Sequence, residues 1–79
     1  MNEYTVLLTW DDEARVWVAV NDEIPLALES GSLDVLMERV RYVAPEVLEA
    51  NGKLHTDIRL HFKADRIAKD INLLEVLRL

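Results

Sequence analysis

Residues 3–20 read Glu3-Tyr4-Thr5-Val6-Leu7-Leu8-Thr9-Trp10-Asp11-Asp12-Glu13-Ala14-Arg15-Val16-Trp17-Val18-Ala19-Val20. Two β-branched and aromatic runs around a polar centre are the pattern of a β-hairpin. In the first run Tyr4, Val6, Leu8 and Trp10 share one face, and Glu3, Thr5, Leu7 and Thr9 share the other. Asp11 to Ala14 supplies the turn. An odd-length loop sets Val16, Val18 and Val20 beside the Tyr4 row, and an even-length loop sets them beside Thr5, Leu7 and Thr9. The odd loop is the expectation, because it gathers the apolar rows on one side of the sheet. Leu7, Trp17 and Ala19 then lie together on the far face.

Downstream, Asn21-Asp22-Glu23 makes a second turn before Ile24-Pro25-Leu26-Ala27-Leu28. Proline cannot donate to a central ladder, so that run predicts an edge or irregular strand. Ser30-Gly31-Ser32 breaks the chain, with Ser32 placed to cap a helix and Asp34 in its first turn. Leu33, Leu36, Met37, Val40, Val43 and Ala44 recur at helical spacing, while Glu38, Arg39 and Arg41 face water. Pro45 is expected to end or kink the helix, because its ring clashes with the carbonyl of Arg41. Pro45–Ala50 then adds a further turn or two, and Asn51-Gly52 stops it. Ile58, Leu60 and Phe62 alternate with Asp57, Arg59, His61 and Lys63, the cleanest strand pattern in the chain. Ile67, Ile71, Leu74 and Leu77, with Asp65 as cap, fit a C-terminal helix, although Ile71–Leu79 also fits a strand.

The expectation is an α+β domain over residues 1–64, of order β-β-β-α-β, with a tail over 65–79. Its sheet has three or four strands, mainly antiparallel, and one helix covers one face. The 79 residues hold one core, and so small a core makes oligomerisation a natural route to stability. With no cysteine there is no disulfide, thiolate metal site or thiol nucleophile. No signal-peptide pattern opens the chain and no apolar run is long enough for a bilayer, so the cytoplasm is the expected location and no membrane partner is expected. Residues 1–52 carry eleven acidic and three basic side chains, a net of −8, and residues 53–79 a net of +2. That surface repels phosphate and favours a basic protein, so direct nucleic-acid binding by this chain is not expected.

Asp11, Asp12 and Glu13 are hard oxygen donors, but they sit in one tight loop and read as a solvated turn rather than a metal site. Asp22 and Glu23 read the same way. His55 and His61 lie about 20 Å apart on an extended strand, too far for one metal. His61 alone lacks a nucleophile and matched acid, and reads as a solvent-facing strand histidine. Trp17 on the outer face fits an interface anchor, with core packing or cover by the tail as the plainer readings. Trp10, in the Tyr4 row, fits core packing better than an interface. No phosphate-cradling loop, catalytic triad or zinc spacing is present. Catalytic, metal and cofactor sites are therefore not expected.

With its elements placed, the chain resembles the HicB-type antitoxin domains, most closely the small single-domain HicB-like proteins. The resemblance rests on Tyr4, on Asp12-Glu13-Ala14 before Val16-Trp17-Val18-Ala19, and on Ile24-Pro25, Ser32-Leu33 and Pro45–Gly52. It covers residues 3 to about 62. It implies a partial ribonuclease-H-like fold without that nuclease's acidic site, assembly into oligomers, and sequestration of a small basic HicA-like RNA-cleaving toxin. The chain departs from the family in passing from Pro25 directly to Leu26, where a glycine is usual. The fifteen residues after Ala64 are also too few for the operator-binding helix-turn-helix or ribbon-helix-helix of full antitoxins. The expected partner-binding residues are Asp11, Asp12, Glu13 and Trp17, and the expected oligomer face is Leu7, Trp17 and Ala19. Two rival functions stay open: a solitary oligomerisation module, and a residual hydrolase needing carboxylates that converge from different strands.

Overall fold

The computed structural model describes residues 2–53 and 57–67 of the chain. Its elements are β1 (Asn2–Asp11), β2 (Val16–Val20), β3 (Leu28–Ser30), α1 (Leu33–Ala50) and β4 (Ile58–Asp65). They form an α+β layer: a four-stranded sheet in the order β3-β2-β1-β4 with α1 packed on one face. β2 pairs antiparallel with both β1 and β3, and β4 pairs parallel with β1. A parallel neighbour cannot be reached by a tight turn, and α1 supplies the crossover from the β3 edge to the β4 edge. His55 and residues 68–79, where a tail helix is expected, lie outside the described residues. Asp65, expected to cap that helix, is the last residue of β4.

The hairpin register differs from the expectation. Leu8 pairs with Ala19 and Trp10 with Trp17, so four residues, Asp12 to Arg15, separate the paired strands. The even loop turns Ala19 and Trp17 towards the helix with Tyr4, Val6 and Leu8, and sends Val16, Val18 and Val20 outward with Leu7. The turn chemistry explains the choice. Asp11 Oδ1 accepts hydrogen bonds from the Glu13 and Ala14 backbone N–H groups, at 3.1 and 3.2 Å. Arg15 takes a left-handed φ of 57°, and its N–H donates to the Asp11 carbonyl at 2.8 Å. β2 is apolar on both faces, so alternation alone cannot choose its orientation, and the turn decides.

The third strand also differs. Ile24–Ala27 is irregular, and β3 begins only at Leu28. Asn21 organises the connection: its Oδ1 accepts from the N–H groups of Glu23 and Ile24 at 2.7 Å each, and its Nδ2 donates to the Thr5 carbonyl at 2.6 Å. Leu26 N–H then bonds back to the Ile24 carbonyl at 2.7 Å around Pro25. Ile24 thus enters the core from a loop and is fully buried.

In α1, Ser32 Oγ accepts from Val35 N–H at 3.3 Å, a side-chain N-cap. Leu36, Val40, Ala44 and Leu48 form its buried stripe against Tyr4, Val6, Leu8 and Ala19. The helix runs through Pro45 as one element. Pro45 and Arg41 both face solvent, where water can serve the carbonyl that proline leaves without a donor. Gly52 closes the helix at φ 72°, donating to the Glu49 carbonyl, while Lys53 N–H reaches the Leu48 carbonyl at 2.8 Å. These two bonds make a Schellman cap, which needs the left-handed residue glycine provides. No helix among the described residues is long and apolar enough to cross a membrane.

Candidate functional site

Two surfaces gather the residues singled out in the sequence. The first is the hairpin end of the sheet. Asp11, Asp12 and Glu13 are all exposed there. Asp11 is committed to holding the turn, as described above. Asp12 Oδ1 accepts a hydrogen bond from the Trp10 indole N–H at 3.2 Å. Trp10 in turn meets Trp17 edge to face, with ring centroids 5.5 Å apart and planes at 64°. The acidic turn and Trp17 therefore form one contiguous surface, joined through Trp10.

A cation completes this cluster. The Arg66 guanidinium carbon lies 4.0 Å from the Trp10 ring centroid and 5.9 Å from that of Trp17. Such stacking is favourable because the ring face carries partial negative charge. Sequence reasoning missed Arg66. The signal that finds it is the parallel register, which sets Asp65 beside Thr9 and so carries the next residue alongside Trp10.

The second surface is the open face of the sheet. It carries Glu3, Thr5, Leu7 and Thr9 of β1, Val16, Val18 and Val20 of β2, Glu29 of β3, and Arg59, His61, Lys63 and Asp65 of β4. Leu7 and Val20 are cross-strand partners and are 46% and 43% exposed. Of the residues expected to form an oligomer face, only Leu7 lies here. Ala19 is fully buried beneath α1, and Trp17 packs half-buried against the core on the helix side. The even hairpin loop is the cause: it reverses both faces of β2 relative to the expectation.

At one corner of the open face Glu3 Oε1 lies 3.3 Å from Arg59 and 3.2 Å from His61 Nε2. The His61 hydrogen bond, aided by the positive charge of both neighbours, holds the Glu3 carboxyl below its ordinary value against a smaller opposing effect of desolvation. All three side chains are about half exposed. Among the described residues, no group of three or more His, Cys, Asp or Glu side chains is arranged to hold a metal ion.

Comparison with known proteins agrees with this architecture. No curated protein matches the chain. Among solved structures, a hypothetical protein of the extremely thermophilic bacterium Thermus thermophilus superposes with a TM-score of 0.76 at 38% sequence identity. The match covers 85% of this chain and 97% of that one. A family model described as "Domain of unknown function (DUF1902)" matches residues 3–72, which span every element of the fold, and the chain belongs to that family.

Proposed function

We propose that this protein acts by binding rather than catalysis, as a HicB-like domain that sequesters a small basic protein in the cytoplasm. Through the resemblance, that partner is a HicA-like RNA-cleaving toxin. The observation that carries the reading is the hairpin end, where exposed Asp12 and Glu13 adjoin the Trp10–Trp17 pair. It belongs to residues 1–52, whose net charge is −8. Exposed carboxylates steer a basic partner towards the site, and an adjacent aromatic pair offers the anchor that sets residence time. Asp11 supports the turn, so its replacement tests folding; Asp12 and Glu13 are the positions that test binding.

The experiment mixes the purified protein with a short basic HicA-like RNA-cleaving protein and follows RNA cleavage. Stoichiometric protein is expected to block cleavage. The double substitution Asp12→Lys, Glu13→Lys should weaken the block roughly tenfold or more, and so should salt at about 0.5 M. Cleavage that continues unchanged in the presence of excess protein would discard the reading. A second reading, a solitary oligomerisation module, is favoured by the aliphatic strip of Leu7, Val18 and Val20, which nothing among the described residues covers. It predicts self-association and no basic companion.

A further inference from the structure

We propose that the Trp10–Trp17 pair is a seat for an external guanidinium, and that Arg66 is its displaceable internal occupant. The inference deepens the sequestration reading, on which it rests for the partner: the group that enters is an arginine side chain of the basic protein. The seat is a corner with two aromatic walls. The rings meet edge to face at 64°, and the Arg66 guanidinium carbon lies 4.0 Å from the Trp10 centroid and 5.9 Å from that of Trp17. Both distances fall within the range of about 6 Å over which a ring face attracts a cation, and indole attracts most strongly. Asp12 strengthens the seat. Its carboxylate accepts the Trp10 indole N–H at 3.2 Å, which orients the ring and polarises electron density into it.

The present occupant is weakly held. Arg66 lies one residue beyond the end of β4, outside the sheet ladder. It is exposed, and among the described residues the two rings hold its guanidinium. An exposed contact of this kind amounts to a preference of only about two- to fivefold. An arginine carried on a larger complementary surface therefore displaces it. The planar guanidinium stacks flat on an indole, which the compact ammonium of lysine cannot do, so arginine is the residue recognised.

Titration of the full chain with the peptide acetyl-Gly-Arg-Gly-amide, followed by tryptophan fluorescence, tests this. The chain has two tryptophans and both line the seat, so the signal comes from it alone. Arg66→Gln empties the seat and should bind the peptide about two- to fivefold more tightly than the wild type. The same peptide with citrulline, which keeps the shape without the charge, should bind markedly less well. Arg15→Gln removes an equal charge from the same hairpin without opening the seat. Its gain should be smaller and vanish at about 0.5 M salt, whereas the Arg66→Gln gain persists. Trp10→Leu, read through Trp17 and with unchanged far-UV circular dichroism, should abolish binding. An Arg66→Gln gain no larger than that of Arg15→Gln, or citrulline bound as well as arginine, would overturn the proposal and leave Arg66 as a clamp on the strand end. The RNA-cleavage assay separates this from sequestration. Tighter peptide binding without any block of cleavage supports the seat and rejects the toxin as the source of the arginine; a block of cleavage with no peptide effect rejects the seat alone.

Discussion

Both faces of this one sheet carry apolar residues on its central strands, and those residues meet opposite fates. On the helix side, Tyr4, Val6, Leu8 and Ala19 are sealed beneath Leu36, Val40, Ala44 and Leu48. On the open side, Leu7, Val18 and Val20 are just as apolar but lie half-buried or exposed. The difference teaches that hydrophobicity selects which residues form strands, whereas a covering element selects which of them become core. Among the described residues α1 carries one apolar stripe, and that stripe covers one face.

The sharpest way to break the comparison is to damage each face equally. Leu36→Ala should lower the unfolding free energy by about 2–5 kcal/mol, since a fully buried leucine leaves a cavity under the sheet. Leu7→Thr should change it by no more than about 0.5 kcal/mol, read by urea unfolding at concentrations low enough to keep the chain monomeric. Equal losses would mean that the open face is covered within the monomer.

Next in size is the loop that completes the covered face. Asn21→Ala removes the acceptor for two N–H groups and the donor to Thr5, and should cost about 1–3 kcal/mol. Asn21→Asp keeps the acceptor and should recover part of that loss, so comparing the two Tm values separates turn formation from the tie to β1.

At the hairpin end, Arg66→Ala should cost about 0.5–1 kcal/mol, the usual range for an exposed cation over an aromatic ring. Its clearer signature is tryptophan fluorescence, because the guanidinium stacks on Trp10. A spectrum unchanged by the substitution would remove Arg66 from the cluster.

The smallest effect is on the open face and depends on pH. Glu3 has its pKa lowered chiefly by the His61 hydrogen bond, so its contribution to stability is full above the ordinary glutamate value of 4.5. It is lost as pH falls through the lowered value. Glu3→Gln should therefore flatten the acid limb of the Tm profile slightly and leave neutral pH almost untouched, because exposed ion pairs contribute little. A marked loss at pH 7 would show that this corner is buried against something in solution.

Much of the fold is legible in the sequence because local chemistry specifies it. Ser32 caps the helix, Gly52 ends it, the Leu36–Val40–Ala44 stripe faces inward, and β4 alternates as its residues demand. The acidic turn is legible as a surface for the same reason. The irregular path at Ile24 is only half legible: Pro25 warns against a regular strand, but the Asn21 side chain replaces the ladder with a turn that no periodicity records. The side of the sheet that Trp17 takes, and the place of Arg66 beside Trp10, are hidden because both depend on register.

By itself, the sequence determined where the helix and most strands begin and end, which helix stripe seeks a core, and the uneven charge along the chain. These follow from backbone preferences and side-chain period, which act over a few residues. Only the tertiary structure decided which face of β2 meets the helix, that Arg66 stacks on Trp10, and that Leu7, Val18 and Val20 form one strip left uncovered among the described residues. Those outcomes turn on the parity of a four-residue loop and on a parallel pairing between residues more than fifty positions apart. In a strand apolar on both sides, a slip of one residue exchanges every contact without changing the pattern.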